Sequence, residues 1–121
     1  MTNTNAIPTE IKLLQKKRLL EVTFDDGKHF ALPCEYLRVY SPSAEVRGHG
    51  VGQETLQIGK ENVNIIGIDP VGQYAVKLIF DDGHSSGLYS WETLYDLGVH
   101  YEKYWLEYLG KLAAAGKIRG I

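Results

Sequence analysis

Apolar and polar residues alternate through Leu20-Glu21-Val22-Thr23-Phe24, the period of a strand with one face buried. Asp25-Asp26-Gly27-Lys28 interrupts the alternation with turn residues, and His29 to Leu32 resumes it, so a hairpin is predicted. Upstream, residues 1–9 are polar, carry Pro8 and read as a flexible tail. Ile11 to Lys16 suits an edge strand. Pro33 fits the first turn of a short helix over Glu35 to Tyr40, where its missing N–H has no partner to lose. Gly48, Gly50, Gly52 and Gly59 mark a loop that holds one short strand candidate, Glu54 to Ile58. Val63 to Ile68 is β-rich and expected to end at a turn, Asp69-Pro70-Val71-Gly72. Tyr74 to Phe80 is the strongest strand signal, Asp81-Asp82-Gly83-His84 a second turn, and Ser85 to Tyr89 a returning strand. Ser90 is a natural N-cap for a helix over Trp91 to Leu97, with Gly98 expected just past its end. Residues 101–115 predict the longest helix, whose Tyr101, Tyr104, Trp105, Tyr108, Leu109 and Leu112 form one wide apolar stripe before Gly116 stops it.

The pattern has an internal echo. Phe24-Asp25-Asp26-Gly27 followed by Leu32 matches Phe80-Asp81-Asp82-Gly83 followed by Leu88, at a constant offset of 56 positions. Both copies read strand, turn, strand, short helix. This mixture predicts an α+β domain: a mainly antiparallel sheet with helices packed on one face and an amphipathic C-terminal helix. Residues 10–121 are expected to form one domain, because 121 residues can bury a single core but not two.

Composition narrows the function classes. A net charge of −2 gives no basic face for nucleic acid. No apolar run approaches the roughly 18 residues of a membrane span, and the first residues carry no signal-peptide pattern, so a cytoplasmic protein is expected. Cys34, the single cysteine, excludes an internal disulfide and a cysteine-rich metal site within one chain, and reads as a small buried hydrophobe.

Several side chains are candidates for chemistry. Arg38, Glu45, Arg47 and His49 gather around a loop with two serines and could hold an anion or a partner. The alternative is that the arginines pair with Glu35, Glu45 or the Asp pairs to support the loop, and it is preferred because long irregular loops need such support. The glycines at 48, 50 and 52 lack the Gly-Lys-Ser/Thr ending of a phosphate loop. The paired aspartates sit where turn preference alone puts them. His84-Ser85-Ser86 has no identifiable acid to complete a triad, so no catalytic residue is expected. The tyrosine-rich C-terminal helix is either core or, at an exposed edge, a surface for another protein.

Two segments carry a family resemblance: Leu37-Arg38-Val39-Tyr40-Ser41-Pro42-Ser43-Ala44-Glu45-Val46-Arg47-Gly48-His49-Gly50 and Asp81-Asp82-Gly83-His84-Ser85-Ser86-Gly87-Leu88-Tyr89-Ser90-Trp91. They resemble the gamma-butyrobetaine hydroxylase-like N-terminal domain, a small module found alone in bacteria or fused to other domains, and the likeness spans about Ile11 to Leu97. In hydroxylases with this module, Cys-x-Cys-x-x-Cys in the first segment and a His in the second hold a structural zinc. The resemblance puts those positions at Ser41, Ser43, Val46 and His84, so three of the four ligands are replaced and no metal or other cofactor is expected. Hydrogen bonds and packing would stand in for the ion, with His84 donating to a backbone carbonyl or to Ser41 or Ser43. The hydroxylases' iron and 2-oxoglutarate domain has no counterpart here, and no His-x-Asp occurs at any of the four histidines.

The expected function is therefore a non-catalytic accessory or protein-interaction module with an unidentified protein partner, and no nucleic-acid or membrane partner. The alternative is a metal- or small-anion-binding domain centred on His84, His49 and Glu45. Zinc or iron would then be the ligand, linked to iron or iron–sulfur proteins because similar modules are attached to iron–sulfur carriers.

Overall fold

The computed structural model describes residues 5–43, 46, 55–117 and 119. Six strands and three helices occur among them. The strands are β1 (Pro8–Leu14), β2 (Leu19–Phe24), β3 (His29–Pro33), β4 (Ile65–Val71), β5 (Ala75–Phe80) and β6 (Leu88–Ser90). The helices are α1 (Cys34–Val39), α2 (Trp91–Val99) and α3 (Tyr101–Ala114). The strands form two antiparallel three-stranded sheets, β1-β2-β3 and β4-β5-β6. The fold is α+β, with the sheet divided in two.

The echo in the sequence is an echo in structure. β2 and β5 are the central strands, and each alternates fully buried with half-buried residues: Leu20, Val22 and Phe24 in one, Val76, Leu78 and Phe80 in the other. Each first strand has a register irregularity near its start, between Pro8 and Glu10 and between Ile65 and Gly67. Each Asp-Asp-Gly forms the same turn. Gly27 and Gly83 take φ of 88° and 91°, a region that residues with a Cβ rarely adopt. Asp26 accepts from Lys28 N at 3.0 Å, and Asp82 accepts from His84 N at 3.1 Å. The two halves share one core, in which Leu20, Phe24, Leu32, Tyr36, Leu78, Phe80, Tyr89 and Leu94 are all but inaccessible.

The halves are tied reciprocally. Tyr95 on α2 donates to Asp26 of the first turn at 2.6 Å, and Arg38 on α1 donates to Asp82 of the second turn at 2.9 Å. Tyr36 donates to Leu97 O and Tyr89 to Leu37 O, both at 2.6 Å. A buried phenol needs such an acceptor, and burial pushes the Tyr36 phenol far above its ordinary value.

Several elements depart from expectation. β1 begins at Pro8, so residues 8 and 9, expected in the tail, belong to the sheet. Residues 55–58 form no strand, and Glu54 lies outside the described residues. β4 runs through Asp69-Pro70-Val71, expected as a turn, to Val71. Among the described residues it pairs only with β5, and an edge strand tolerates a proline that has no N–H to donate. β6 is only three residues long, the chain from His84 to Gly87 being irregular. Gly98 lies inside α2 rather than past its end. A Cβ there would fall inside contact distance of the Phe30 ring, with two ring carbons at 2.5 and 2.7 Å. It is a glycine of close packing. Ser90 caps α2 by accepting from Thr93 N at 3.1 Å. α3 closes with Gly116 N bonded to Ala113 O and Lys117 N to Leu112 O, the two bonds of a Schellman motif.

Candidate functional site

α1 ends at Val39, and the chain passes through Tyr40 into Ser41-Pro42-Ser43. Opposite stands His84, delivered by the turn after β5. Its Nε2 is 2.9 Å from Ser41 Oγ and 3.3 Å from Ser43 Oγ, and Ser43 N donates to Ser41 Oγ at 3.4 Å. The imidazole tautomer decides which partner donates. All three residues are buried, Ser41 completely and Ser43 and His84 to 6% exposure. Val46 is buried too, held by its N–H to Ser43 O at 3.1 Å and by Thr55 N donating to its carbonyl at 2.8 Å. Gly87 presses on this segment: a Cβ there would fall inside contact distance of Ser41 Oγ and 3.2 Å from Pro42 Cδ. The two motif segments therefore meet at Ser41, Ser43 and His84.

A charged layer orients the turn. Asp82 accepts from Arg38 Nε and Lys60 Nζ, both at 2.9 Å, besides His84 N. Partial burial alone would raise its pKa. The Lys60 ammonium, the His84 N–H and the Arg38 guanidinium outweigh that and hold it at about 2. Arg38 Nη1 donates to Gln57 Oε1 at 2.9 Å, and Arg38 is only 7% exposed. Arg38 is thus held in an internal ion pair with an aspartate of the second Asp pair, the pairing preferred for it over a ligand role. Glu45, Arg47 and His49, its expected companions, lie outside the described residues.

Cys34 is fully buried and burial raises its thiol pKa, the opposite of what a reactive thiolate requires. Asp25 and Asp81 stitch the turns to neighbouring backbone: Asp25 Oδ1 accepts from Ile7 N at 3.2 Å and Asp81 Oδ1 from Asn64 N at 3.0 Å. The tyrosines of α3 mostly serve the interior, with Tyr108 donating to Gln57 O and Tyr104 accepting from Tyr40 on its carbonyl, both at 2.7 Å. Leu106, by contrast, is 68% exposed. Tyr40, Thr55, Leu56, Tyr108 and Lys111 line a cavity of about 190 Å³. That is below the roughly 300 Å³ at which ligand pockets usually begin.

One contact was hidden from sequence reasoning. Glu35 on α1 is 5% exposed and accepts a bidentate pair from Arg119, Nε to Oε2 at 2.8 Å and Nη2 to Oε1 at 2.6 Å. The Arg119 guanidinium also lies 5.5 Å above the Trp105 ring. Burial first, and then the Glu35 charge, pushes the Tyr108 phenol up to about 12 and moves Tyr101 in the same direction. The partners are 84 positions apart, and no local pattern links them.

The Ser41–His84–Ser43 set does not fit zinc. Two neutral hydroxyls and one imidazole are a poor donor set, and Val46 offers no donor atom. Among the described residues, no group of three or more His, Cys, Asp or Glu is placed to hold a metal ion. Nor is any helix among them long and apolar enough to cross a membrane.

These features define a small α+β module with two related halves. The sequence model of the family "Gamma-butyrobetaine hydroxylase-like, N-terminal" matches residues 11–95, and the chain belongs to this family. Two proteins with NMR solution structures are similar over nearly the whole chain. One is 54% identical, with a TM-score of 0.82 over 98% of this chain and 90% of that one. The other is 48% identical, with a TM-score of 0.81 over 94% and 90%. A crystal structure at 1.93 Å of a protein of unknown function, of the DUF971 family from Acidithiobacillus ferrooxidans, is 40% identical. It aligns with a TM-score of 0.64 over 75% of this chain and 91% of its own. No curated protein matches the chain.

Proposed function

We propose that this protein is a non-catalytic accessory module that works by contact with another protein. The observation that carries this reading is the burial of the Ser41–His84 pair. A serine hydroxyl 2.9 Å from an imidazole is the spacing of an activated nucleophile, yet Ser41 is wholly inaccessible. A group that no substrate can reach holds two segments together. The nearby cavity is small, and Asp82, whose carboxyl is held at about 2, is neutralised by Arg38 and Lys60. The perturbed Asp82 carboxylate therefore supports structure.

The surface offers apolar contact instead. Ile66, Tyr74 and Leu88 of the second half and Leu106 of α3 are large, apolar and 46% to 68% exposed. Photo-crosslinking from positions 74, 88 and 106 in cells tests the reading. A single protein captured from one of these positions, and lost when Leu88 or Leu106 becomes Asp, is the expected result. Stoichiometric zinc or iron in protein purified without an affinity tag would instead favour a metal-binding role.

A further inference from the structure

We infer that Glu35 and Trp105 form a recognition site for an arginine side chain of a partner protein, filled in this structure by the chain's own Arg119. The inference rests on the interaction-module reading above, because it names the chemistry that a partner presents. The acceptor side is built into the fold. Glu35 sits within α1 with only 6% of its side chain exposed, and every hydrogen bond its carboxylate makes to a described residue comes from Arg119. Trp105 forms the wall beside it and is braced by Tyr101, stacked at 6.4 Å and 14°, and by Tyr108 at 5.2 Å. Acid and indole together match a guanidinium, which offers a flat cation with paired donors.

The donor side is different. α3 has ended by Ala115, and Arg119 is carried beyond it with 42% of its side chain exposed. It lies outside the helix, two positions past Lys117, and fills the site from the same chain, so it acts as an intramolecular ligand at high effective concentration. Leaving would strand a buried carboxylate, so Arg119 yields only to another group that restores the same pairing. A second guanidinium does so, whereas an ammonium lacks the planar fork and stacks less well. Arg119 thus sets a threshold: a partner arginine must compete with it, and its apparent affinity is reduced by the fraction of time the site is filled.

The test uses the full chain with N-acetyl-L-arginine amide as the probe and the Trp105 indole N–H resonance as the readout. Arg119→Ala should bind the probe saturably and at least tenfold more tightly than the unmodified chain. The corresponding lysine amide should bind at least tenfold more weakly than the arginine probe. Adding Glu35→Gln to Arg119→Ala should abolish binding. Equal binding by the unmodified chain and Arg119→Ala, or binding that survives Glu35→Gln, overturns the inference. If Arg119→Ala does not fold, the unmodified chain decides: excess probe should release the Arg119 Nε–H from Glu35, and no release overturns the inference. The purified chain alone is used, so a negative result leaves the crosslinking test of the module reading intact.

Discussion

Arg38 on α1 and Asp82 in the second hairpin turn lie 2.9 Å apart, and the pair joins the two halves of the fold. Its mirror is the Tyr95–Asp26 hydrogen bond at 2.6 Å. Asp82 is only 24% exposed, so its lowered pKa is a statement about stability. The folded value, about 2, lies below the ordinary aspartate value of 3.8. Stability from Asp82 is thus complete above pH 4 and is lost as pH falls through 4 towards 2. The loss should be about 2 kcal/mol. Chemical denaturation between pH 5 and 2 checks this, and Asp82→Asn should be less stable at neutral pH and lack that part of the acid dependence. Asp26, lowered chiefly by the Tyr95 hydroxyl, moves in the same direction.

The meeting of Ser41, Ser43 and His84 predicts that a zinc site can be created. S41C/S43C/V46C should retain zinc in equimolar amount, with His84 as the fourth ligand at the usual distances of about 2.0 to 2.3 Å. Zinc a few hundredfold above its Kd should then add about 3 kcal/mol of stability. In the unmodified chain, a strong chelator should leave the melting midpoint unchanged. Elemental analysis of the triple variant and melts of both proteins decide the matter. A triple variant that folds without retaining zinc would show that Val46 does not face His84.

Two glycines in neighbouring helices should respond oppositely to alanine. Gly98→Ala places a methyl against the Phe30 ring and should cost about 1–3 kcal/mol of overpacking. Gly110, in the interior of α3, has no heavy atom within 4 Å of a built Cβ. Gly110→Ala should stabilise by about 0.5–1 kcal/mol through helix propensity. Denaturant midpoints of the two variants test both signs together.

Tyr36 and Tyr89 are predicted to be equivalent links. Tyr36→Phe and Tyr89→Phe each remove one hydrogen bond to a carbonyl in the opposite half, at Leu97 and at Leu37. Each should destabilise by about 1–3 kcal/mol, because a buried acceptor is left without its donor. Equilibrium unfolding should remain two-state, since one core joins the halves. A variant that unfolds one half before the other would contradict this.

The local elements and the repeat can be read from residue order. Alternation in β2 and β5, Asp-Asp-Gly at both turns, Ser90 as a cap and the apolar stripe of α3 all depend on neighbours a few residues away. Such neighbours are legible in order. The family resemblance also pointed to Ser41, Ser43 and His84 as one cluster, although 41 positions separate Ser43 from His84. Tertiary structure alone decided three other matters. It divided the strands into two sheets, since which strand pairs with which depends on loop closure rather than on periodicity. It moved Gly98 from a helix stop to a packing contact, because Phe30 approaches from another strand. It joined Glu35 to Arg119 and selected Asp82 from among the acids expected to pair with Arg38, because charges pair according to folded distance and burial, and separation along the chain carries no trace of either.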